Sequence, residues 1–197
     1  SYLIGITAGI FREADDLGDG ELIDRIKDSA KQKGTGRWAS IEALKQGVDI
    51  SMITSACTAR IMSNHLDERE KAWQLIHSPA VGLSPDKESF AAMVREALYT
   101  GKIIAYAQGF SLMQDASRLY GWNLDLGKIA SIFRAGCIIQ AVFLNDITHA
   151  FEAEPKPESL IFDGFFLSRI NEHQDSLRQA VSTGVMNGLP IPALCNA

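Results

Sequence analysis

The sequence is poor in the residues that build disulfide frameworks and metal centres. It contains three cysteines, Cys57, Cys137 and Cys195, which lie far apart and form no paired motif. The four histidines are scattered along the chain as well. An odd, unpaired set of cysteines is typical of a protein in a reducing compartment, where a thiol packs as a small apolar side chain. We therefore expect a cytoplasmic protein that uses no metal.

Long apolar runs and clusters of basic residues are also missing. No stretch reaches the roughly 20 apolar residues that a membrane-spanning helix needs, so no membrane segment is expected. The apolar start, from Tyr2 to Phe11, lacks the basic residues and the cleavage site of a signal peptide. We interpret it as the end of a buried helix whose beginning lies outside this chain. The formal net charge is −5 without any lysine or arginine run, which argues against a nucleic-acid partner.

The chain does contain enough apolar residues for a substantial core. A hydrophobic fraction of 46% and a charged fraction of 22% over 197 residues predict one globular domain. Apolar residues recur at helical spacing, and no alternation typical of strands occurs, so the predicted fold class is all-α. Helices are predicted over residues 1–12, 21–29, 37–46, 51–65, 67–77, 86–120, 128–134, 137–153 and 158–187, with a kink at Gly164 and a loop from Gly82 to Pro85.

Residues 86–120 predict one long central helix. This stretch has no proline, and apolar or small residues recur every three or four positions. At 1.5 Å per residue the helix is about 50 Å long and crosses a whole domain. Small residues recur on or near one face, namely Ala97, Gly101, Ala105 and Gly109, and they allow close helix packing. We interpret this helix as a core element without a direct chemical role.

The loop from Gln32 to Trp38 is the chemically distinctive part of the sequence. Gly34 and Gly36 allow a sharp turn and let an anion approach the backbone amides. Lys33 adds a positive charge, and Thr35 adds a hydroxyl group and is a candidate N-cap. The helix predicted to follow favours a negative group at its N-terminus. These features predict a phosphate or carboxylate site, but on these residues alone an ordinary interhelical loop is equally well supported.

The same loop matches a dinucleotide-binding fingerprint in form, from Gly34 to Ala39. That fingerprint requires a strand before it and an acidic residue about 20 positions later. The preceding residues 22–28 predict an amphipathic helix, and no acidic residue stands near position 54. The spacing of glycines and Lys-Ser/Thr in a phosphate-binding P-loop is absent too. We reject both nucleotide-binding interpretations.

Arg60 is a second candidate ligand for an anion. It lies next to a stripe of the helix 51–65 formed by Ile53, Cys57, Ile61 and His65, which predicts a half-buried guanidinium that needs a partner. A guanidinium binds phosphate through two parallel hydrogen bonds. Spacing alone, however, favours a salt bridge to a nearby acidic residue.

Short runs in a fixed order, spread over nearly the whole chain, carry a family resemblance. They are Tyr2–Ile4 with Ile6–Thr7, Gln32–Trp38, Ala59–Arg60, Asp67–Arg69, Ala97–Tyr99 with Lys102–Ile104, Tyr106–Phe110, Phe133–Ile139, Gln174–Ser176 and Ser182–Val185. In this order they resemble the helical C-terminal domain of 6-phosphogluconate dehydrogenase. Residues 1–197 are therefore expected to form that domain.

The resemblance implies an enzyme that oxidises and decarboxylates 6-phosphogluconate to ribulose 5-phosphate and carbon dioxide. It implies NADP as the usual cofactor, with NAD in some members, no metal, and a homodimer. In the family, the residues that correspond to Lys33, Thr35 and Arg60 hold the phosphate of the substrate. The resemblance thus favours an anion site both at the loop and at Arg60. Lys33 would supply a charge, Thr35 a hydroxyl donor and Arg60 a guanidinium fork for one dianion.

The resemblance also implies which parts of the enzyme lie elsewhere. The lysine base, the glutamate acid and the dinucleotide-binding domain of the family precede the part that this chain matches, and a tail that reaches the partner subunit would follow it. We therefore predict no catalytic and no cofactor-binding residue here, and we expect a fragment that is inactive alone. The chain departs from the family at Gln140, often arginine, at Gly5 and Ser55, often glutamate, and at Gly164, often aspartate.

Two other functions stay open at this point. The chain could be a non-catalytic helical dimerisation module, for which no NADP reduction by the isolated chain is expected. It could also belong to a related beta-hydroxyacid dehydrogenase with a non-phosphorylated substrate, which would have no use for Lys33 together with Arg60. Rates on gluconate and on its 6-phosphate separate the second alternative from the main interpretation.

Overall fold

The computed structural model describes residues 1–77, 82 and 86–197, and its regular structure is helical. Within these residues no β-strand occurs, apart from an isolated bridge between Ala14 and Glu21, so the predicted all-α class is confirmed. The helices are α1 (Tyr2–Ile10), α2 (Thr35–Gln46), α3 (Ser51–Ser63), α4 (Leu66–Leu75), α5 (Lys87–Tyr120), α6 (Leu126–Ile132), α7 (Leu144–Glu152), α8 (Gly164–Met186) and α9 (Pro192–Cys195), with 3-10 turns at Leu22–Arg25 and Leu160–Phe162.

The described part of the chain divides into two compact units. The first unit consists of Ser1–Asp28 and Leu124–Pro157, and the second of Ser29–Asn123 and Glu158–Ala197. The predicted loop from Gly82 to Pro85 lies outside the described residues except for Gly82.

In the first unit, α6 packs against α7 through an apolar stripe. Leu144, Ile147 and Phe151 are buried on α7 at helical spacing, and Leu126 and Ala130 are buried on α6, which packs against it. The helix predicted from residue 137 begins only at Leu144, because Gly136 takes a left-handed φ of 69° and the residues after it form turns. The helix predicted at the N-terminus forms as α1, but none of its residues is buried within this chain, in contrast to the expected burial.

The helix predicted over residues 21–29 is wrong as well. Only the 3-10 turn Leu22–Arg25 forms there. The backbone here pairs with an earlier segment instead of forming helical hydrogen bonds. The amide of Leu22 donates to the carbonyl of Glu13 (3.0 Å), and the amide of Asp15 donates to the carbonyl of Gly20 (2.9 Å). Ile26 then adopts an extended conformation and ends the turn.

In the second unit, α5 is the central element, as predicted. The Asp86 carboxylate caps its start by accepting a hydrogen bond from the Ser89 amide (3.0 Å), and Gly121 ends it with a left-handed φ of 65°. Ile103 and Phe110 are buried on this 34-residue helix, which packs most extensively against α8. This helix fixes the positions of the shorter helices around it.

The last part of the chain differs from the prediction at both of its ends. The kink predicted at Gly164 is the start of α8, because the Asp163 carboxylate accepts a hydrogen bond from the amide of Phe165 (3.0 Å) and caps the helix there. The short helix α9 (Pro192–Cys195) lies beyond the predicted end of the last helix. It packs against α3, α5 and α8.

Two glycines of α5 should respond oppositely to the same substitution. A Cβ atom on Gly101 would lie 2.6 Å from Cδ2 of Leu194 in α9, whereas one on Gly109 would meet no atom closer than 3.9 Å. Alanine in a helix interior gains about 0.5–1 kcal/mol over glycine, but overpacking costs about 1–3 kcal/mol. We expect Gly109→Ala to raise and Gly101→Ala to lower the free energy of unfolding in urea. Equal effects of the two substitutions would contradict the close approach of α9.

A carboxylate on α2 is coupled to the end of α5. The hydroxyl of Tyr120 donates to Glu42, and this bond, with a weaker contribution from Gln46, lowers the pKa of the Glu42 carboxyl. A lowered pKa in the folded state means that ionised Glu42 stabilises the fold above its unfolded pKa, and that this contribution is lost as the pH falls through the folded pKa. We expect Tyr120→Phe to raise the pKa of Glu42, as measured by NMR titration. The exposed Tyr2 offers the control, because Tyr2→Phe should leave that pKa unchanged.

Candidate functional site

The segment that leads into α2 is fastened to the second half of α3. The amide of Ala30 donates to Oγ of Ser63 (3.0 Å), and its carbonyl accepts a hydrogen bond from Nδ2 of Asn64 (3.0 Å). Two turns earlier on α3, the carbonyl of Cys57 accepts a hydrogen bond from Nε2 of Gln32 (2.9 Å). These bonds fix the path of residues 30–32 along α3, directly before Lys33.

The start of α2 also packs closely on α3. A Cβ atom on Gly36 would lie 3.3 Å from Sγ of Cys57, so a larger residue there would require the Cys57 side chain to shift. One turn later, the hydroxyl groups of Ser40 and Thr54 lie 3.0 Å apart. Gly34 serves the turn itself, with a left-handed φ of 99°. The two glycines of the loop thus have different roles, one in the turn and one in helix packing.

Thr35 is the first residue of α2, and the N-cap is Gly34, so the predicted N-cap role of Thr35 is wrong. The first backbone bond of the helix runs from the amide of Trp38 to the carbonyl of Gly34 (3.0 Å). The amides of Thr35 to Arg37 therefore have no helical acceptor, and they point out of a helix end that carries a partial positive charge. The side chain of Thr35 is exposed beside them.

Lys33 and Arg60 are both exposed, and within the described residues neither side chain forms an ion pair. For Arg60 this corrects two expectations, the half-buried position and the salt bridge that spacing alone favoured. The reason is that α3 is buried only near its start, at Met52, whereas residues 58–62 are all exposed. His65 is exposed too, so the predicted buried stripe does not extend to the end of α3. Both cations are available to an external anion.

The structure brings α3 and the loop together on the side of α3 that carries Arg60. Arg60 follows Cys57 by three positions and precedes Asn64 by four, and residues three or four apart share one face of a helix. Both Cys57 and Asn64 contact the segment that carries Lys33. Lys33 and Arg60, together with the free amides and hydroxyl at the start of α2, therefore lie on two segments that are hydrogen-bonded to each other. Such a set of donors suits a phosphate dianion.

Other kinds of site find less support in the part of the chain that the structure describes. No group of three or more His, Cys, Asp or Glu side chains there is arranged to hold a metal ion. None of the described helices combines the length and the apolar character needed to cross a membrane. Residues 26–33 form no strand before Gly34, in agreement with the rejection of a dinucleotide-binding turn.

Sequence reasoning missed the residues that fasten the loop. Ser63 and Asn64 carried no predicted role, although asparagine at the end of a predicted helix is a known stop signal. The bonds that they form join positions more than 30 residues apart in the sequence. No local pattern could have identified these partners.

Comparison with known proteins then identifies the fold. The family described as 6-phosphogluconate dehydrogenase, C-terminal domain, matches residues 1–197. This chain belongs to that family. The resemblance inferred from the sequence is confirmed over the whole chain.

Relatives and a solved structure show how much of a 6-phosphogluconate dehydrogenase the chain covers. The decarboxylating enzymes of Lactococcus lactis and Mus musculus are 44% and 46% identical to it over 197 and 198 residues, which is 100% of this chain but 42% and 41% of theirs. A Plasmodium falciparum 6-phosphogluconate dehydrogenase, solved in its apo form, with NADP+ and with 6-phosphogluconate, matches 99% of this chain and 42% of its own, with a TM-score of 0.93 and 39% identity. The chain thus spans less than half the length of these relatives.

Proposed function

We propose that this chain is the substrate-phosphate-binding and dimerisation domain of a decarboxylating 6-phosphogluconate dehydrogenase. The parent enzyme oxidises 6-phosphogluconate to ribulose 5-phosphate and carbon dioxide and reduces NADP. One observation carries the proposal. In a chain that matches the family from end to end, Lys33, Thr35 and Arg60 are exposed on two elements that are fastened to each other.

The three side chains would bind the phosphate in complementary ways. Lys33 supplies a point charge, Arg60 supplies a planar fork for two phosphate oxygens, and Thr35 adds a hydroxyl next to the free amides of α2. The phosphate does not react, so its binding energy is available to hold the carbon chain in the orientation that the reaction needs. Within this chain, the proposed role is therefore the binding and orientation of the substrate.

The loop around Gly34 does not fit a dinucleotide-binding turn. The glycine-rich loop lacks the strand that a dinucleotide-binding turn requires. We therefore assign no cofactor-binding residue, no catalytic residue and no step of hydride transfer to this chain. In this proposal, these functions belong to the part of the relatives that the chain does not match.

The surface of the chain supports a homodimer. Several large apolar side chains are strongly exposed, among them Trp38 (74%), Leu44 (84%) and Trp73 (81%). Sedimentation of the purified chain is expected to show a dimer, and a monomer at all concentrations would contradict this part of the proposal.

Titration calorimetry tests the proposed substrate class. The purified chain should bind 6-phosphogluconate at least about tenfold more tightly than gluconate, because the loss of one charge-assisted hydrogen bond alone costs about 1.5–3 kcal/mol. Inorganic phosphate should compete weakly. Equal affinity for the two sugar acids would instead favour a related dehydrogenase with a non-phosphorylated substrate. Reduction of NADP by the isolated chain would contradict the absence of catalytic residues.

A further inference from the structure

Two consecutive side chains join the backbone of Arg60 to that of Ala30. Oγ of Ser63 donates to the carbonyl of Arg60 (2.8 Å) and accepts a hydrogen bond from the amide of Ala30 (3.0 Å). Nδ2 of Asn64 donates to the same carbonyl (2.6 Å) and to the carbonyl of Ala30 (3.0 Å). Ala30 is thus held through both of its backbone polar groups. We call this arrangement the Ser63–Asn64 bridge.

A further bond fixes the orientation of the Asn64 amide. Its Oδ1 accepts a hydrogen bond from Oγ of Ser29 (2.8 Å), so its Nδ2 faces the two carbonyls. The Asn64 side chain therefore accepts one hydrogen bond and donates two, and its partners lie 4, 34 and 35 positions away in the sequence. A side chain that makes this many directed bonds determines the position of what it holds.

We propose that Ser63 and Asn64 are positioning residues that set the separation between Arg60 and the loop that carries Lys33. The inference rests on the proposed phosphate site. One end of the bridge holds the residue that carries the guanidinium, and the other end holds Ala30, three residues before Lys33. Because a phosphate must meet both cations at once, a shift of the loop along α3 weakens binding even when every ligand is present.

Helix capping alone does not account for this arrangement. Asn187 ends α8 in the same way, because its Nδ2 donates to the carbonyl of Thr183, four residues earlier (2.9 Å). Unlike Asn64, which also bonds Ala30 and Ser29, Asn187 makes, among the residues that the structure describes, this one side-chain bond within its own helix end. Asn187 therefore provides a matched control for the loss of a cap.

The experiment measures the affinity of the 197-residue chain for 6-phosphogluconate. Asn64→Ala is expected to weaken binding about tenfold, and Ser63→Ala several-fold, whereas Ser63→Thr keeps the hydroxyl group and should restore the affinity. Asn187→Ala should change the affinity less than twofold. Thermal unfolding of each variant shows that it is folded at the temperature of the titration. If Asn64→Ala does not fold, Ser63→Ala and Ser63→Thr decide the question.

A double-mutant cycle with Arg60 separates positioning from a general loss of structure. Once Arg60→Gln has removed the guanidinium, the spacing between it and the loop no longer matters. Asn64→Ala should then weaken binding less than about twofold further. A full tenfold loss in both backgrounds would overturn the positioning role, because it would show an effect that does not pass through Arg60.

The outcomes also separate this inference from the proposed function. If the unmodified chain does not prefer 6-phosphogluconate to gluconate, both are wrong. If Lys33→Ala and Arg60→Gln weaken binding while the Ser63 and Asn64 variants bind normally, the phosphate site stands and the bridge is a structural feature only.

Discussion

Replacing Lys33 with alanine is expected to weaken the binding of 6-phosphogluconate by roughly 10- to 100-fold and to leave gluconate binding unchanged. Lys33 is exposed and, within the described residues, forms no ion pair, so its ammonium group is free to contact a phosphate oxygen. A hydrogen bond to a charged group contributes about 1.5–3 kcal/mol, which corresponds to that range of affinity. Titration calorimetry with the two sugar acids measures both effects in the same protein preparation.

Lys31 provides the matched control for this experiment. It is exposed, two residues before Lys33, so Lys31→Ala makes the same change in net charge near the same loop. A long-range attraction would be reduced similarly by both substitutions and screened by salt, whereas a direct contact depends on position. We expect Lys31→Ala to change the affinity less than twofold. An equal loss from the two variants would mean that the loop attracts the substrate without holding its phosphate.

Local signals predicted α5 to within one residue at its start. An aspartate cap and a terminal glycine lie next to a stretch with no proline, so every feature that starts, continues or ends this helix is close in the sequence. The same local reasoning failed for residues 21–29. There the backbone of Leu22 pairs with that of Glu13, and this non-local pairing overrides the helical pattern.

The candidate site shows the same division between local chemistry and tertiary contacts. Gly34, Lys33 and Thr35 could be singled out because a turn, a charge and a hydroxyl group are properties of neighbouring residues. The exposure of Arg60 could not be predicted, because it depends on how far the core extends along α3. The Ser63–Asn64 bridge was equally out of reach, since its partners meet only after the loop has packed on α3.

Replacing Phe166 with alanine is expected to lower the free energy of unfolding by about 3–5 kcal/mol. Phe166 is fully buried in the first turn of α8, and Leu160, 1% exposed, precedes it in the same part of the second unit. Truncation to alanine removes the packed aromatic ring and leaves a cavity that the surrounding side chains fill only in part. Since domains are stable by about 5–15 kcal/mol, this loss is a large share of the total.

Urea unfolding followed by far-UV circular dichroism measures this change, with Phe162→Ala as the control. Phe162 lies four residues earlier but is 63% exposed, so its truncation removes little buried surface and should cost less than about 1 kcal/mol. The difference between the two variants isolates the contribution of burial, because the chemical change is identical. Similar unfolding free energies for both would show that the Phe166 ring is not part of a packed core.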